Sequence, residues 1–203
     1  MEAFPFFMDV EDKTCLIVGG GKVAREKVDS LSRFSMRILI VALETDIEPQ
    51  EGKIEIRKKP FEDEDLEEAD FCICATSDRH LNRRISQLCK MNRIPVNVVD
   101  DAALCSFIMP SIVKRGPLTI AISTGGKSPA YAQRLRQRID HEMPENIDDI
   151  LERLGTLRKH IPELIPDQGC RKKYYKEALE LMLSTENTVS DDELKALAEK
   201  YGR

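Results

Sequence analysis

Gly19-Gly20-Gly21-Lys22-Val23-Ala24 fits the spacing G-x-G-x-x-A directly after the apolar run Thr14-Cys-Leu-Ile-Val18. That order of residue types suits a dinucleotide. Gly19 permits a tight turn, Gly21 lets a pyrophosphate approach the backbone, and Ala24 lets helix and strand pack closely. A helix opening at this point adds free N–H groups and the positive end of its dipole. A glycine turn without a ligand is the plainer reading of the same residues. A ribose-binding acid is expected about 20 residues further on. Glu44, just after a second apolar run, is the candidate, and Asp46 competes with it. A solvated loop acid is the alternative for both. An acid there favours NAD over NADP, because a 2′-phosphate would meet like charge.

Two further groups could carry chemistry. Asp100 and Asp101 follow a short run at what would be the carboxyl end of a sheet, where ligands of open α/β sheets bind. A carboxylate there can take a proton beside a nicotinamide, or merely cap a turn. Ser123-Thr-Gly-Gly-Lys-Ser-Pro129 combines a glycine pair, a lysine and a Ser-Pro helix start. With Arg134, Arg136 and Arg138 it suits an anion, and Arg79, Arg83 and Arg84 raise the same question. A capped helix with a solvated charged face is the simpler explanation. His80, His141 and His160 are scattered, and no metal-ligand spacing or Ser/His/Asp arrangement is visible.

The elements that must hold these residues alternate. After Thr14–Val18, residues 23–32 read as a helix with Val23, Ala24, Val28 and Leu31 on one face. Ile38-Leu-Ile-Val41 is a second strand and residues 54–57 a weaker third. Residues 66–69 read as a short acidic helix, Phe71-Cys-Ile-Cys-Ala75 as a fourth strand, residues 80–91 as a helix and Pro95-Val-Asn-Val-Val99 as a fifth strand. Alternation of this kind predicts a doubly wound, mostly parallel sheet over residues 1–110. Then Ser106-Phe-Ile-Met109 and Leu118-Thr-Ile-Ala-Ile122 read as strands around the turn Lys114-Arg-Gly-Pro117. A helix spans residues 130–142, and residues 144–203 are helical, with a capping box at Ser190-Asp-Asp-Glu193.

Composition narrows the function classes. The chain has 203 residues, 41% hydrophobic and 33% charged, as expected of a globular protein of one to two domains. A formal net charge of -5 and aromatics at only 5% argue against nucleic-acid partners. No apolar stretch approaches the roughly 18 residues of a membrane span. Residues 1–11 lack the basic start of a signal peptide. Six cysteines without a C-x-x-C pair read as reduced core thiols in a cytoplasmic protein, with Cys72 and Cys74 on one strand face.

Taken together, Leu16-Ile-Val-Gly-Gly-Gly-Lys-Val-Ala24, Asn97-Val-Val-Asp100, Ser106-Phe-Ile-Met-Pro-Ser111 and Ser123–Pro129 resemble the precorrin-2 dehydrogenase module of siroheme synthases. Phe4-Pro-Phe-Phe7 and Ala75-Thr76 are similar too. The resemblance covers residues 3–140. It implies a Rossmann-like domain at residues 1–110, a small α+β dimerisation region at 111–143, a helical region at 144–203, and a homodimer. It implies NAD-dependent oxidation of precorrin-2 to sirohydrochlorin, and for some members insertion of Fe2+ as a ferrochelatase. It puts the catalytic aspartate on Asp100. It puts cofactor contacts on Gly19, Gly21, Lys22, Val23, Leu43, Glu44, Ala75 and Thr76. The tetrapyrrole substrate carries eight carboxylates, and Ser123, Thr124, Gly125, Gly126, Lys127 and Ser128 would face them. Thr124 stands where some relatives have serine, and the methyltransferase domain of fused siroheme synthases is not in this sequence. A Rossmann module that senses NAD(H) without catalysis is the alternative.

Overall fold

The computed structural model describes residues 3–202, so the expected outer domain bounds at residues 1 and 203 lie outside the described residues. Five apolar runs become strands: β1 (Thr14–Val18), β2 (Arg37–Ala42), β3 (Ile54–Lys58), β4 (Phe71–Cys74) and β5 (Val96–Val98). They form one sheet in the order β3-β2-β1-β4-β5. Every adjacent pair is parallel. The period-2 alternation splits the sheet into two apolar faces. Leu16, Val18, Leu39, Val41, Cys72 and Cys74 pack on one side with Ile85 and Cys89 of α2 (Arg79–Met91). Cys15, Ile17, Ile38, Ile40, Phe71 and Ile73 pack on the other with Ala24, Val28 and Leu31 of α1 (Lys22–Leu31). Both faces are therefore covered by helices, which is what near-continuous apolar strands require. Burying each large aliphatic side chain contributes about 1.5–3 kcal/mol.

The structure corrects two expected elements. Residues 66–69 are not a helix; a single 3-10 turn lies at Asp63–Leu66 instead. Its boundary is fixed by the buried Asp65 carboxylate, which accepts the Glu62 N–H (2.9 Å) and pairs with Lys59 (2.9 Å). Ser106–Met109 is not a strand either. The Ser106 and Phe107 N–H groups both donate to the Val96 carbonyl, and the buried Asn97 amide donates to Phe107 O (3.0 Å). Those bonds pin the segment across the end of β5 rather than into a ladder. Phe107 stacks edge-on against Phe71, with ring centroids 6.0 Å apart.

The strand begins later. β6 (Ser111–Arg115) and β7 (Leu118–Ile122) make an antiparallel hairpin, followed by α3 (Pro129–Glu142). Three more helices complete the chain: α4 (Ile147–Leu164), α5 (Gln168–Ser184) and α6 (Asp191–Gly202). They close around Ile150, Ile161, Tyr174, Ala178, Met182 and Leu194. Ser190 and Glu193 form the expected capping box: each accepts the other's backbone N–H, at 3.2 and 2.8 Å. The chain divides into two compact units, Met1–Pro110 with Gly125–Lys127, and Ser111–Thr124 with Ser128–Arg203. Among the described residues no helix is long and apolar enough to cross a membrane.

At the amino end of the sheet, Asp70 accepts the Thr14 N–H (2.9 Å) and pairs with Lys13 (2.9 Å). The Thr14 N–H, then Lys13, hold its carboxyl below the usual carboxylate range. A folded pKa below the unfolded one means stability present above the unfolded value, about 3.9, and lost as pH falls through the folded one. Asp70→Asn is therefore expected to be less stable than the parent near neutral pH. In urea unfolding followed by circular dichroism, the gap should close as pH drops below that of a free carboxyl. A gap that stays constant down to acid pH would refute this.

Candidate functional site

The order β3-β2-β1-β4-β5 reverses direction at β1, so the crevice of the sheet opens outside the carboxyl ends of β1 and β4. Gly19 follows β1 and Ala75 follows β4. They touch: a Cβ on Gly19 would lie 2.5 Å from the Ala75 carbonyl oxygen. Gly19 also has φ of 121°, a conformation that side chains rarely adopt. Here the fold itself demands glycine.

Gly21 differs. It is the N-cap of α1 and offers no side-chain cap to the helix. A Cβ on it would meet nothing within 4 Å. Its φ and ψ of -83° and -170° are open to any residue. Nothing in the protein's own packing asks for glycine at 21, so the space above it fits a ligand brought close to the backbone. Lys22 and Val23, both exposed, open the helix beside it. The residues present thus fit a dinucleotide pyrophosphate.

Leu43 and Glu44 follow β2 and are exposed, Leu43 strongly so at 72%. The structure separates Glu44 from its competitor. Asp46 is committed to Arg25 (2.7 Å), whose guanidinium holds its carboxyl below the usual range. Glu44 makes no ion pair among the described residues. Thr76 turns inward: its hydroxyl donates to Asn82 Oδ1 (2.7 Å), and its carbonyl accepts the Asn82 amide (3.0 Å). Its side chain is thus occupied in holding the loop after β4 onto α2, whose N-terminus is capped by Asp78. Asn82, buried in the first turn of α2, is a supporting residue that the sequence reading missed.

Asp100 stands two residues past β5, at the tip of a tight turn closed by the Asp101 N–H on Val98 O (3.3 Å). Its φ of 61° is left-handed, a conformation that aspartate tolerates better than most residues. Its side chain is exposed. Asp101 is the residue beneath it. Its N–H closes the turn, its carboxylate accepts the Ala103 N–H (3.2 Å), and its carbonyl accepts the Cys105 thiol (3.3 Å). Cys105 also bonds the Val98 N–H (3.1 Å) and Val98 O (3.3 Å). Burial raises its thiol pKa. Cys105 is thus a structural pin of the turn that presents Asp100. A lone cysteine in the sequence gave no signal of that role.

In the second glycine segment, Gly125 and Gly126 take left-handed backbone, with φ of 61° and 80°. Thr124 Oγ1 accepts the Ser128 N–H (3.1 Å), and Ser128 Oγ caps α3 by accepting the Tyr131 N–H (3.2 Å). Ser123, Gly125, Gly126 and Lys127 are exposed. The basic groups separate on inspection. Arg84 is committed to Asp63 and lies over the Phe61 ring, and Arg138 is paired with Glu142. Arg79, Arg83, Lys127, Arg134 and Arg136 have no carboxylate partner among the described residues.

The family model described as "Putative NAD(P)-binding" matches residues 6–111. The model "Sirohaem biosynthesis protein central" matches residues 115–142. The chain is 37% identical over 188 residues to a siroheme synthase of Nitrosospira multiformis, covering 89% of this chain and 40% of that protein. It is 39% identical over 184 residues to one of Thioalkalivibrio sulfidiphilus, covering 89% and 38%. It thus spans about two fifths of the length of these relatives. A solved structure titled "SirC, precorrin-2 dehydrogenase" superposes with a TM-score of 0.68 over 98% of both chains, at 21% identity, and so shares the fold.

The contrast between the two glycines is testable. Gly21→Ala should keep the melting temperature of the parent yet weaken NAD+ binding by about tenfold or more, since the new methyl fills space that the pyrophosphate needs. Calorimetric titration and thermal unfolding of one sample check both halves, and unchanged affinity would refute the assignment. With the reversing parallel sheet, the glycine turn at its crevice and the match over residues 6–111, the chain belongs to this NAD(P)-binding family.

Proposed function

We propose that the chain oxidises precorrin-2 to sirohydrochlorin with NAD+, as part of siroheme biosynthesis. One observation carries the reading: Asp100 and the Gly19–Gly21 turn stand at the carboxyl edge of the same parallel sheet, with Asp100 exposed on a left-handed turn. The two matched modules and the siroheme synthase relatives support the choice of substrate.

In this reading Gly21 and the first N–H groups of α1 hold the pyrophosphate, and Lys22 adds positive charge. Glu44 takes the adenosine ribose hydroxyls and disfavours a 2′-phosphate. The bound nicotinamide supplies a hydride acceptor at C4. The substrate loses a hydride and a ring proton, and the Asp100 carboxylate takes that proton. The balance is one substrate and one NAD+ giving sirohydrochlorin, NADH and a proton. Residues Ser123–Ser128, with the uncommitted cations Lys127, Arg134 and Arg136, meet the substrate carboxylates. The working form is a homodimer built on residues 111–143, in the cytoplasm. The five buried free cysteines are in keeping with a reducing compartment.

The test is an anaerobic assay of precorrin-2 with NAD+, followed by absorbance, with and without Fe2+. Asp100→Asn is expected to retain NAD+ affinity and to lose turnover by about a hundredfold or more, the usual size of a general-base effect. Wild-type turnover in a folded Asp100→Asn protein would refute the role. NAD+ binding without any turnover in the parent would favour a sensing module. The Fe2+ arm reads whether metal insertion follows oxidation in this chain.

A further inference from the structure

The loop after β2 is hydrogen-bonded to the glycine turn through the Thr45 hydroxyl. Thr45 Oγ1 donates to Gly20 O (3.0 Å) and accepts the Ile47 N–H (3.2 Å). Thr45 is half-buried, while Leu43, Glu44 and Asp46 around it are exposed. Gly20 is shaped to receive that loop. A Cβ on Gly20 would overlap the Glu44 carbonyl oxygen and would lie 2.7 Å from Thr45 Cβ and 2.9 Å from Ala42 Cβ. Gly20 is the variable position of the G-x-G-x-x-A spacing, yet its nearest neighbours all belong to the end of β2 and this loop. The pair Arg25–Asp46 makes a second link (2.7 Å), but Asp46 is 80% exposed, and such pairs hold little.

We propose that Thr45 is a positioning residue of the nucleotide site. Its hydroxyl, seated against Gly20, sets the distance between the glycine turn and the Glu44 carboxylate. This rests on the NAD+ reading above. Pyrophosphate and adenosine ribose belong to one ligand but are held by two loops. A ligand of fixed length gains from both contacts only if the loops keep a fixed separation, and preorganising them avoids ordering on binding. Removing the hydroxyl leaves Gly20 O and the Ile47 N–H without their protein partner and frees the loop that carries Glu44. The loss should fall on the ribose end, so it should depend on Glu44 and differ between NAD+ and NADP+.

The experiment uses the whole chain, titrated calorimetrically with NAD+ and with NADP+. Thr45→Val removes the hydroxyl at nearly constant shape, and Thr45→Ala serves where the second methyl is not accommodated. Either should weaken NAD+ binding by about five- to tenfold, the size of one lost hydrogen-bond anchor, and lower the preference for NAD+ over NADP+. Thr45→Ser should restore both to within about twofold. In a Glu44→Gln background, Thr45→Val should cost little more, because the two residues act on one contact. Equal losses for both dinucleotides, full additivity with Glu44→Gln, or no rescue by serine would overturn the proposal. So would parent-like affinity in a folded Thr45→Val protein. A parent chain that binds neither dinucleotide would overturn the NAD+ reading itself, and this proposal with it.

Discussion

The contact of Gly19 with the Ala75 carbonyl is the constraint on which the site depends. It is made where the strand order reverses, between β1 and β4. Only a residue without a Cβ allows the loops of these two strands to approach so closely. Once they do, the chain leaving β1 turns straight into α1 and presents the N-terminus of that helix over the crevice. The loop after β4 must then turn away, and the Thr76–Asn82 bonds fix how it does so. Everything further along the carboxyl edge, from Glu44 after β2 to Asp100 after β5, is placed relative to that junction by the register of a sheet whose central strand is wholly buried.

The electrostatics follow a similar logic of commitment. A net charge of -5 argues against an anionic partner only if charge is spread evenly. It is not. Four of the six acids in the stretch 62–68 are paired: Glu62 and Asp65 with Lys59, Asp63 with Arg84, and Glu68 with Arg37 and Arg57. Those pairs occupy cations that the sequence would leave free. Arg84 is the instructive case, because it stands beside Arg79 and Arg83 in the sequence and yet serves Asp63 and Phe61. The net charge describes the molecule as a whole, while binding depends on which cations have no partner.

Strongly patterned elements were legible in the sequence to within a residue or two. β1, β2, β4, α1 and α2 carry continuous apolar runs or a clear helical stripe, and burial on both sheet faces leaves them no other arrangement. Segments ruled by single polar side chains were not legible. Ser106–Met109 is apolar enough for a strand, but Asn97 and the Val96 carbonyl capture it first. The 3-10 turn at Asp63–Leu66 depends on one buried carboxylate. No periodicity encodes such contacts, because each partner is chosen by the fold.

The same division holds for the site. The sequence alone determined that a glycine turn follows the first strand, that acids follow the second and fifth, and that a capped helix follows a glycine pair. These are local matters of spacing, backbone conformation and capping, decided within a few residues. Only the tertiary structure decided which glycine the fold itself requires and which one its packing leaves open. It also separated Glu44 from Asp46 and Asp100 from Asp101, and showed that Thr45, Asn82 and Cys105 hold the loops in place. The glycine and Glu44 distinctions rest on contacts between residues far apart in the chain, such as Gly19 with Ala75 and Arg25 with Asp46. Such contacts exist only once the sheet has brought the strand ends together.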